Sequence, residues 1–366
     1  MGTVKRDESG RWYFIFDAPR DADGKRRRVR RRGFRTKNDA TTAMDTAQSE
    51  ARRGLSPARG AVLTRDYLKE WLASCAGRVS PKTEEGYKRI VNRHLIPALG
   101  AVRLEYLTPA MVQRYCRDKL AAGLTAQTVL HQFRCLSTAL EAAVRLQMIP
   151  RNVCGAVDPP RVRRRPPKTL TSEETAVLLE SLAPTNLYLP ALIAIATGMR
   201  ESEILALTWR DIDLDRAAIS LSGSLSETKE GGLIRKTPKS GAGRQIAMPA
   251  FLVEALRLHR ALSVHDYVCC REDGAPERPI VFGNRWRRHM KKRGLTVTFH
   301  QLRHTHATIA LELGIHPKIV QERLGHSRVG VTLDIYSHVL PSLQEDAAAQ
   351  IDTAFMQAKA RDRAEK

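Results

Sequence analysis

The segment "DPPRVRRRPPK", residues 158–168, limits the fold more than any other stretch of the chain. Its prolines fix φ, lack backbone donors and push the residues before them out of the helical region. Neither a helix nor a central strand can run through four prolines in so short a span. The segment must be an extended connection between separate folding units. A chain of 366 residues is in any case too long for one ordinary domain and long enough for two or three. Five basic residues, among them Arg163, Arg164 and Arg165, suggest that this connection lies against phosphates.

Charge extends the same point to the whole chain. The formal net charge is +22 and the sequence pI about 10.2, which calls for a polyanionic partner, with nucleic acid the leading class. The density peaks near the front. From Gly24 to Lys37, nine of fourteen residues are Lys or Arg and none is acidic. Like charges that close repel, so stability is not their purpose. A disordered tail is one reading. The aromatic strand "RWYFIF", the turn "DADG" and the helix "NDATTAMDTAQSEARR" argue instead for a folded sheet over residues 1–56. That sheet would offer Arg26, Arg28, Arg30 and Arg32 to phosphates.

Residues 62–157 read as all-helical. "SPKTEEGYKRIVNRHL" opens with Ser80 as N-cap and Pro81 in the first turn; Thr108 and Pro109 repeat the device, and that helix stops at Gly123. Residues 169–345 are mixed: helices, a strand pair around "AAISLSG" and "RQIAMP", then more helices. Residues 346–366 read as a helical tail outside the main core. The six cysteines contain no C-x-x-C pair, which fits a reducing cytoplasm better than a disulfide scaffold. "MGTVKRDESG" has no apolar core for a signal peptide, and the run "LYLPALIAIATGM" is too short to span a bilayer. A soluble cytoplasmic protein is expected.

The third region carries the chemistry. "ATGMRESEIL" places Arg200 at the start of a helical segment with Glu203 one turn on. Taken alone, that pair reads as a salt bridge. "FHQLRHTHAT" puts His300 and Arg303 on one helical face. His304 completes an H-x-x-x-H spacing, but no acidic neighbour or third ligand follows, so His304 and His306 read as structural or peripheral. Two arginines and two histidines, His326 being the second, suit the oxygens of a phosphodiester. Tyr336, ten residues beyond His326, is either a packing residue or a nucleophile whose ordinary pKa of ~10 nearby cations would lower. A deoxyribose 5′-oxygen leaves badly and needs an acid. Lys236 and Lys239 in "GGLIRKTPKSGAGRQIAMP" are available for that.

In the order Arg, Lys, His-x-x-Arg, His, Tyr, the chain resembles the tyrosine recombinase (phage integrase) family. The matching stretches are "TGMRESEILALTW", "KTPKSGAGRQIAMP", "FHQLRHTHAT", "LGHS" and "VTLDIYSH". The resemblance implies a small N-terminal arm-type domain with a three-stranded sheet and helix. It implies a helical core-binding domain after that, and then a mainly-α catalytic domain with a small antiparallel sheet. The last two would clamp a DNA duplex.

It further implies that Arg200 and Arg303 hold the scissile phosphate, with His300 and His326 bonded to it. Tyr336 would attack to give a 3′-phosphotyrosine. Lys236 would be the general acid, with Lys239 in reserve, and Glu203 would brace Arg200. No metal and no cofactor is expected, because the phosphotyrosine conserves the energy of the broken bond. The implied assembly is a homotetramer on two DNA duplexes, with a directionality factor and a host DNA-bending protein as further partners. Two other readings remain at this point. A type IB topoisomerase-like nicking and closing enzyme shares the chemistry, and a non-catalytic DNA-binding regulator shares the charge.

Overall fold

The computed structural model describes residues 2–19, 27–52, 62–163, 168–228, 231–236, 243–325, 330, 348–349, 351–353 and 355–357. The chain divides into two compact units between Arg163 and Arg164, inside the proline-rich segment. The described part of that segment forms neither helix nor strand.

At the front, β1 (Thr3–Arg6), β2 (Trp12–Ala18) and β3 (Arg27–Phe34) form an antiparallel sheet in that order, followed by α1 (Lys37–Arg52). Strand alternation divides the residues between two faces. Phe14, Phe16 and Ala18 of β2 pack with Val29 of β3 and with Ala47 and Ala51 of α1. Arg28, Arg30 and Arg32 are exposed, and Val29 between them is buried. The Arg30 guanidinium stands 4.5 Å from the centre of the Tyr13 ring. Arg26 and the "DADG" turn lie outside the described residues. Strand β1 is an edge strand and mostly exposed, with Val4 packed against the same core.

The helical part comprises α2 (Thr64–Cys75), α3 (Pro81–Ile90), α4 (Ile96–Leu99), α5 (Pro109–Ala121) and α6 (Ala126–Arg145). A π turn, Val91–Leu95, joins α3 to α4. Ser80 and Thr108 cap as expected, their hydroxyls accepting from Thr83 N at 3.2 Å and Met111 N at 3.3 Å. Gly123 takes a positive φ of 85° just past α5. Leu68, Val91, Leu95, Val112, Val129, Leu136 and Leu140 form the core, each worth ~1.5–3 kcal/mol of burial.

The second unit begins with α7 (Ser172–Leu182), α8 (Tyr188–Thr197) and α9 (Glu201–Ile204). Five short strands follow: β4 (Ile212–Asp213), β5 (Ala218–Leu221), β6 (Ser224–Thr228), β7 (Gly232–Lys236) and β8 (Arg244–Ala247). The unit continues with α10 (Ala250–Leu262), α11 (Pro279–Lys292), α12 (Phe299–Glu312) and α13 (Pro317–Leu324). One sheet has the order β4-β5-β8 and the other is the hairpin β6-β7. The expected strand pair is β5 with β8. The strand of Lys236, however, pairs back onto β6 and not forward onto β8, with Lys236 opposite Ser224. In the other sheet Ile246 of β8 lies opposite Ile219 of β5, and both are fully buried. Helix α8 is the apolar centre, buried at Ala191, Leu192, Ile193 and Ala194, and α12 packs against it.

The described tail residues 348–349, 351–353 and 355–357 are helical, with Ile351, Phe355 and Met356 exposed. No helix among the described residues is long and apolar enough to cross a membrane.

Candidate active site

Arg200 is placed by a helix stop. Helix α8 ends at Gly198, whose φ of +69° is left-handed. A Cβ there would also come within 2.6 Å of the His306 ring and 2.7 Å of Leu324. The chain then turns, and Arg200 enters α9 with extended backbone. Its amide donates to Glu203 Oε2 at 2.9 Å and its Nη1 to Glu203 Oε1 at 2.8 Å. Its Nη2 reaches the carbonyl of Gly325 at 3.3 Å. The side chain is still 39% exposed, so it can also meet a ligand.

Arg303 comes from α12, whose start is fixed by the Thr298 amide donating to the Gln301 side chain. It is only 3% exposed. Burying a guanidinium carries a penalty of several kcal/mol unless acceptors replace its water. Here Nη1 donates to Gly198 O at 2.6 Å and Nη2 to Leu324 O at 2.7 Å.

His300, one turn earlier, keeps much of its surface open. Its ring is nevertheless set deep enough to lose hydration. That loss, with the charges of Arg303 and Arg200, lowers its pKa. His304 stands edge-on to it, with ring centres 4.9 Å apart, and burial with the neighbouring His300 and Arg303 takes it to about 4. His306 is also lowered to about 4, chiefly by burial. Its Nδ1 donates to Ile195 O at 2.7 Å, which leaves Nε2 as the acceptor for Arg323 Nε at 3.4 Å. His306 is therefore a neutral structural histidine. A groove opens beside His300, lined by Trp286 and Phe299, with Arg287 and Lys291 among its cations.

Sequence reasoning missed Arg244. It opens β8, and its Nη1 and Nη2 meet the two Glu203 oxygens at 3.2 and 2.8 Å. Its Nε donates to Arg323 O at 3.0 Å. Burial pushes the Glu203 carboxyl up. The hydrogen bond and charge of Arg244, with the amide and charge of Arg200, outweigh that and hold it below the usual carboxylate range. One signal was available. Arg244 lies two residues before the buried Ile246, so strand alternation puts both on the core side.

The structure thus gathers Arg200, Glu203, Arg303 and His300 from elements distant in sequence. Lys236 ends β7, partly exposed, on the hairpin whose strand β6 packs beside α9. Lys239, His326 and Tyr336 lie outside the described residues, as do Arg164 and Arg165. Arg163 is described and exposed. Among the described residues, no group of three His, Cys, Asp or Glu is placed to hold a metal.

Comparison with known proteins meets this geometry from outside. Residues 168–342 match the phage integrase family, residues 65–120 the N-terminal SAM-like domain of phage integrases, and residues 3–51 an arm DNA-binding domain. The chain belongs to the phage integrase family. It is a tyrosine-type site-specific DNA recombinase.

The recombinase is 25% identical to the ICEBs1 integrase of Bacillus subtilis over 87% of its own length and 92% of that protein's. Among solved structures, it resembles the Tn1549 transposon integrase in complex with circular intermediate DNA. The TM-score is 0.69 at 21% identity, over 78% of this chain and 99% of that one. It also resembles a lambda integrase tetramer bound to a Holliday junction, with a TM-score of 0.58 at 20% identity over 89% and 95% of the two chains. The catalytic family match spans Arg200, Lys236, His300, Arg303, His326 and Tyr336.

Proposed function

We propose that this integrase cuts and rejoins DNA through a covalent 3′-phosphotyrosine on Tyr336. Arg200 and Arg303 hold the two non-bridging oxygens of the scissile phosphate, and His300 and His326 bond the same group. The Tyr336 oxygen attacks phosphorus and passes its proton to His300, whose lowered pKa favours the neutral, accepting ring. The bond from phosphorus to the 5′-oxygen breaks, and Lys236 protonates that oxygen as it leaves, with Lys239 as the alternative donor. Reversal with a 5′-hydroxyl from a second duplex reseals the strand. The observation that carries this reading is the meeting of Arg200 and Arg303 at the end of α13. They bond Gly325 O and Leu324 O, immediately before His326.

The wider reading follows from the relatives. The lambda integrase structure is a tetramer on a Holliday junction, which supports a homotetramer on two duplexes here. The ICEBs1 and Tn1549 relatives support service to a phage or mobile element. A directionality factor and a host DNA-bending protein are accessory partners in this proposal. We assign residues 1–56 to arm binding, 62–157 to core binding, 158–168 to the linker, 169–345 to catalysis and 346–366 to the tail. The compartment is the prokaryotic cytoplasm or nucleoid.

The test is a duplex carrying a nick beside the cleavage position, so that the released strand diffuses away. Wild type accumulates a covalent protein–DNA adduct in the presence of EDTA, and Tyr336→Phe binds the duplex but forms none. Adduct formed by the Phe variant would remove Tyr336 from the mechanism.

A further inference from the structure

Helix C-termini leave carbonyls without partners, and these carry the negative end of the helix dipole. At the end of α13 three successive carbonyls are each met by a different arginine. Arg323 O accepts from Arg244 at 3.0 Å, Leu324 O from Arg303 at 2.7 Å and Gly325 O from Arg200 at 3.3 Å. Gly325 permits this. Its φ of +65° is left-handed, and a Cβ on it would lie 2.6 Å from Arg244 Nη1. Glu203, only 9% exposed, ties Arg244 to Arg200 through both its oxygens. Three cations and one anion leave a surplus of two positive charges. That matches the dianion formed when a phenolate adds to a phosphodiester.

We propose that Arg244 is a positioning residue for strand cleavage, and that the last turn of α13 is the template that spaces the guanidinium cluster. Arg244 does not serve the phosphate itself. Both its terminal nitrogens face the Glu203 carboxylate, an anion beside which a phosphate would be repelled, and its Nε is held by Arg323 O. It acts through Glu203 on Arg200, and through Arg323 O on the turn that leads into His326. The proposal rests on the reading of Arg200 as a phosphate clamp.

The experiment uses full-length protein and single-turnover cleavage of the nicked duplex at saturating enzyme. Wild type, Arg244→Ala, Arg244→Lys, Glu203→Gln, Arg200→Ala and the Arg244→Ala/Glu203→Gln double variant are compared. Each is run on an ordinary scissile phosphate and on a neutral methylphosphonate. Arg244→Ala should cleave the phosphate ~10–10²-fold more slowly with DNA affinity within about twofold of wild type. Arg244→Lys should stay slow, because an ammonium cannot span a carboxylate and a carbonyl as a fork does. The double variant should be no slower than the slower single one.

On the methylphosphonate one of the two negative charges of the transition state is gone, so the deficit of Arg244→Ala should shrink as that of Arg200→Ala does. A deficit that shrinks for Arg200→Ala but not for Arg244→Ala would make Arg244 a merely structural residue and overturn the proposal. Wild-type rates for Arg244→Lys would do the same. If Arg244→Ala does not fold, Arg244→Lys must itself show slow cleavage, an unchanged Tm and relief on the methylphosphonate, or the proposal fails. Arg200→Ala cleaving at the wild-type rate would instead remove the clamp reading beneath it.

Discussion

Two groups of arginines in this protein follow opposite rules. On the front sheet, Arg28, Arg30 and Arg32 project from one strand into solvent. Among the described residues, the one ion pair drawn from them, Arg28 to Asp17 at 3.3 Å, is between side chains 69% and 48% exposed, and such pairs contribute little. In the catalytic unit, Arg200, Arg244 and Arg303 are bonded to carbonyls and to Glu203, and Arg303 is almost wholly buried. The exposed set can follow a mobile polyanion and loses little by moving. The enclosed set has its directions fixed before any ligand arrives. Free charge supplies affinity; fixed charge supplies rate.

The largest effects should come from breaking the enclosed set. Arg303→Ala and Arg200→Ala should each lose at least ~10²-fold in single-turnover cleavage while duplex affinity changes little. Arg303→Ala should also lower Tm, because the carbonyls of Gly198 and Leu324 lose their donors; Arg200→Ala should lower it less. Losses confined to affinity would erase the distinction between the two groups.

Lys236 sharpens it. Lys236→Ala should cleave an ordinary linkage poorly and recover on a 5′-bridging phosphorothiolate, whose thiolate leaves without a proton. Arg303→Ala should recover far less there, since its task is charge and not proton transfer. Recovery by Lys239→Ala in place of Lys236→Ala would move the acid by three residues and leave the rest standing.

For the exposed set the readout is salt. Replacing Arg28, Arg30 and Arg32 by Ala should lower the slope of log affinity against log salt by roughly 2–3 for DNA that engages the front domain. Cleavage of a saturated core duplex should not change. A slowed cleavage step would show that these arginines do more than hold phosphates.

The smallest effect is on stability against pH. His304 and His306 are lowered to about 4, and His300 is lowered too, whereas residues 1–56 contain no histidine. Below the ordinary histidine pKa of ~6.5 the unfolded chain binds protons that the folded catalytic unit refuses. Stability of that unit should therefore fall as pH drops from about 6.5 toward 4. Its melting temperature should fall by roughly 5–10 °C over that span. A melting temperature that does not change between pH 6.5 and 5 would mean that these histidines titrate as they do in the unfolded chain.

Much of this protein could be read without coordinates, wherever the deciding physics is local. Proline chemistry marked the segment in which the two units separate. Ser80 and Thr108 announced their helices, because a cap and its amide are three residues apart. His300 and Arg303 share one turn of α12, and Arg200 reaches Glu203 within one turn of α9, so spacing alone joined them.

Tertiary structure decided the rest. Arg244 meets Glu203 across 41 residues and Arg323 across 79, distances at which no periodicity survives. Lys236 lies opposite Ser224 of β6, a pairing that its own motif does not specify. Local rules choose helix, strand and cap because the groups involved are near neighbours along the chain. Three arginines on three successive carbonyls of α13 exist only once α9, α12, β8 and α13 have packed. That arrangement is a property of the fold and not of any motif.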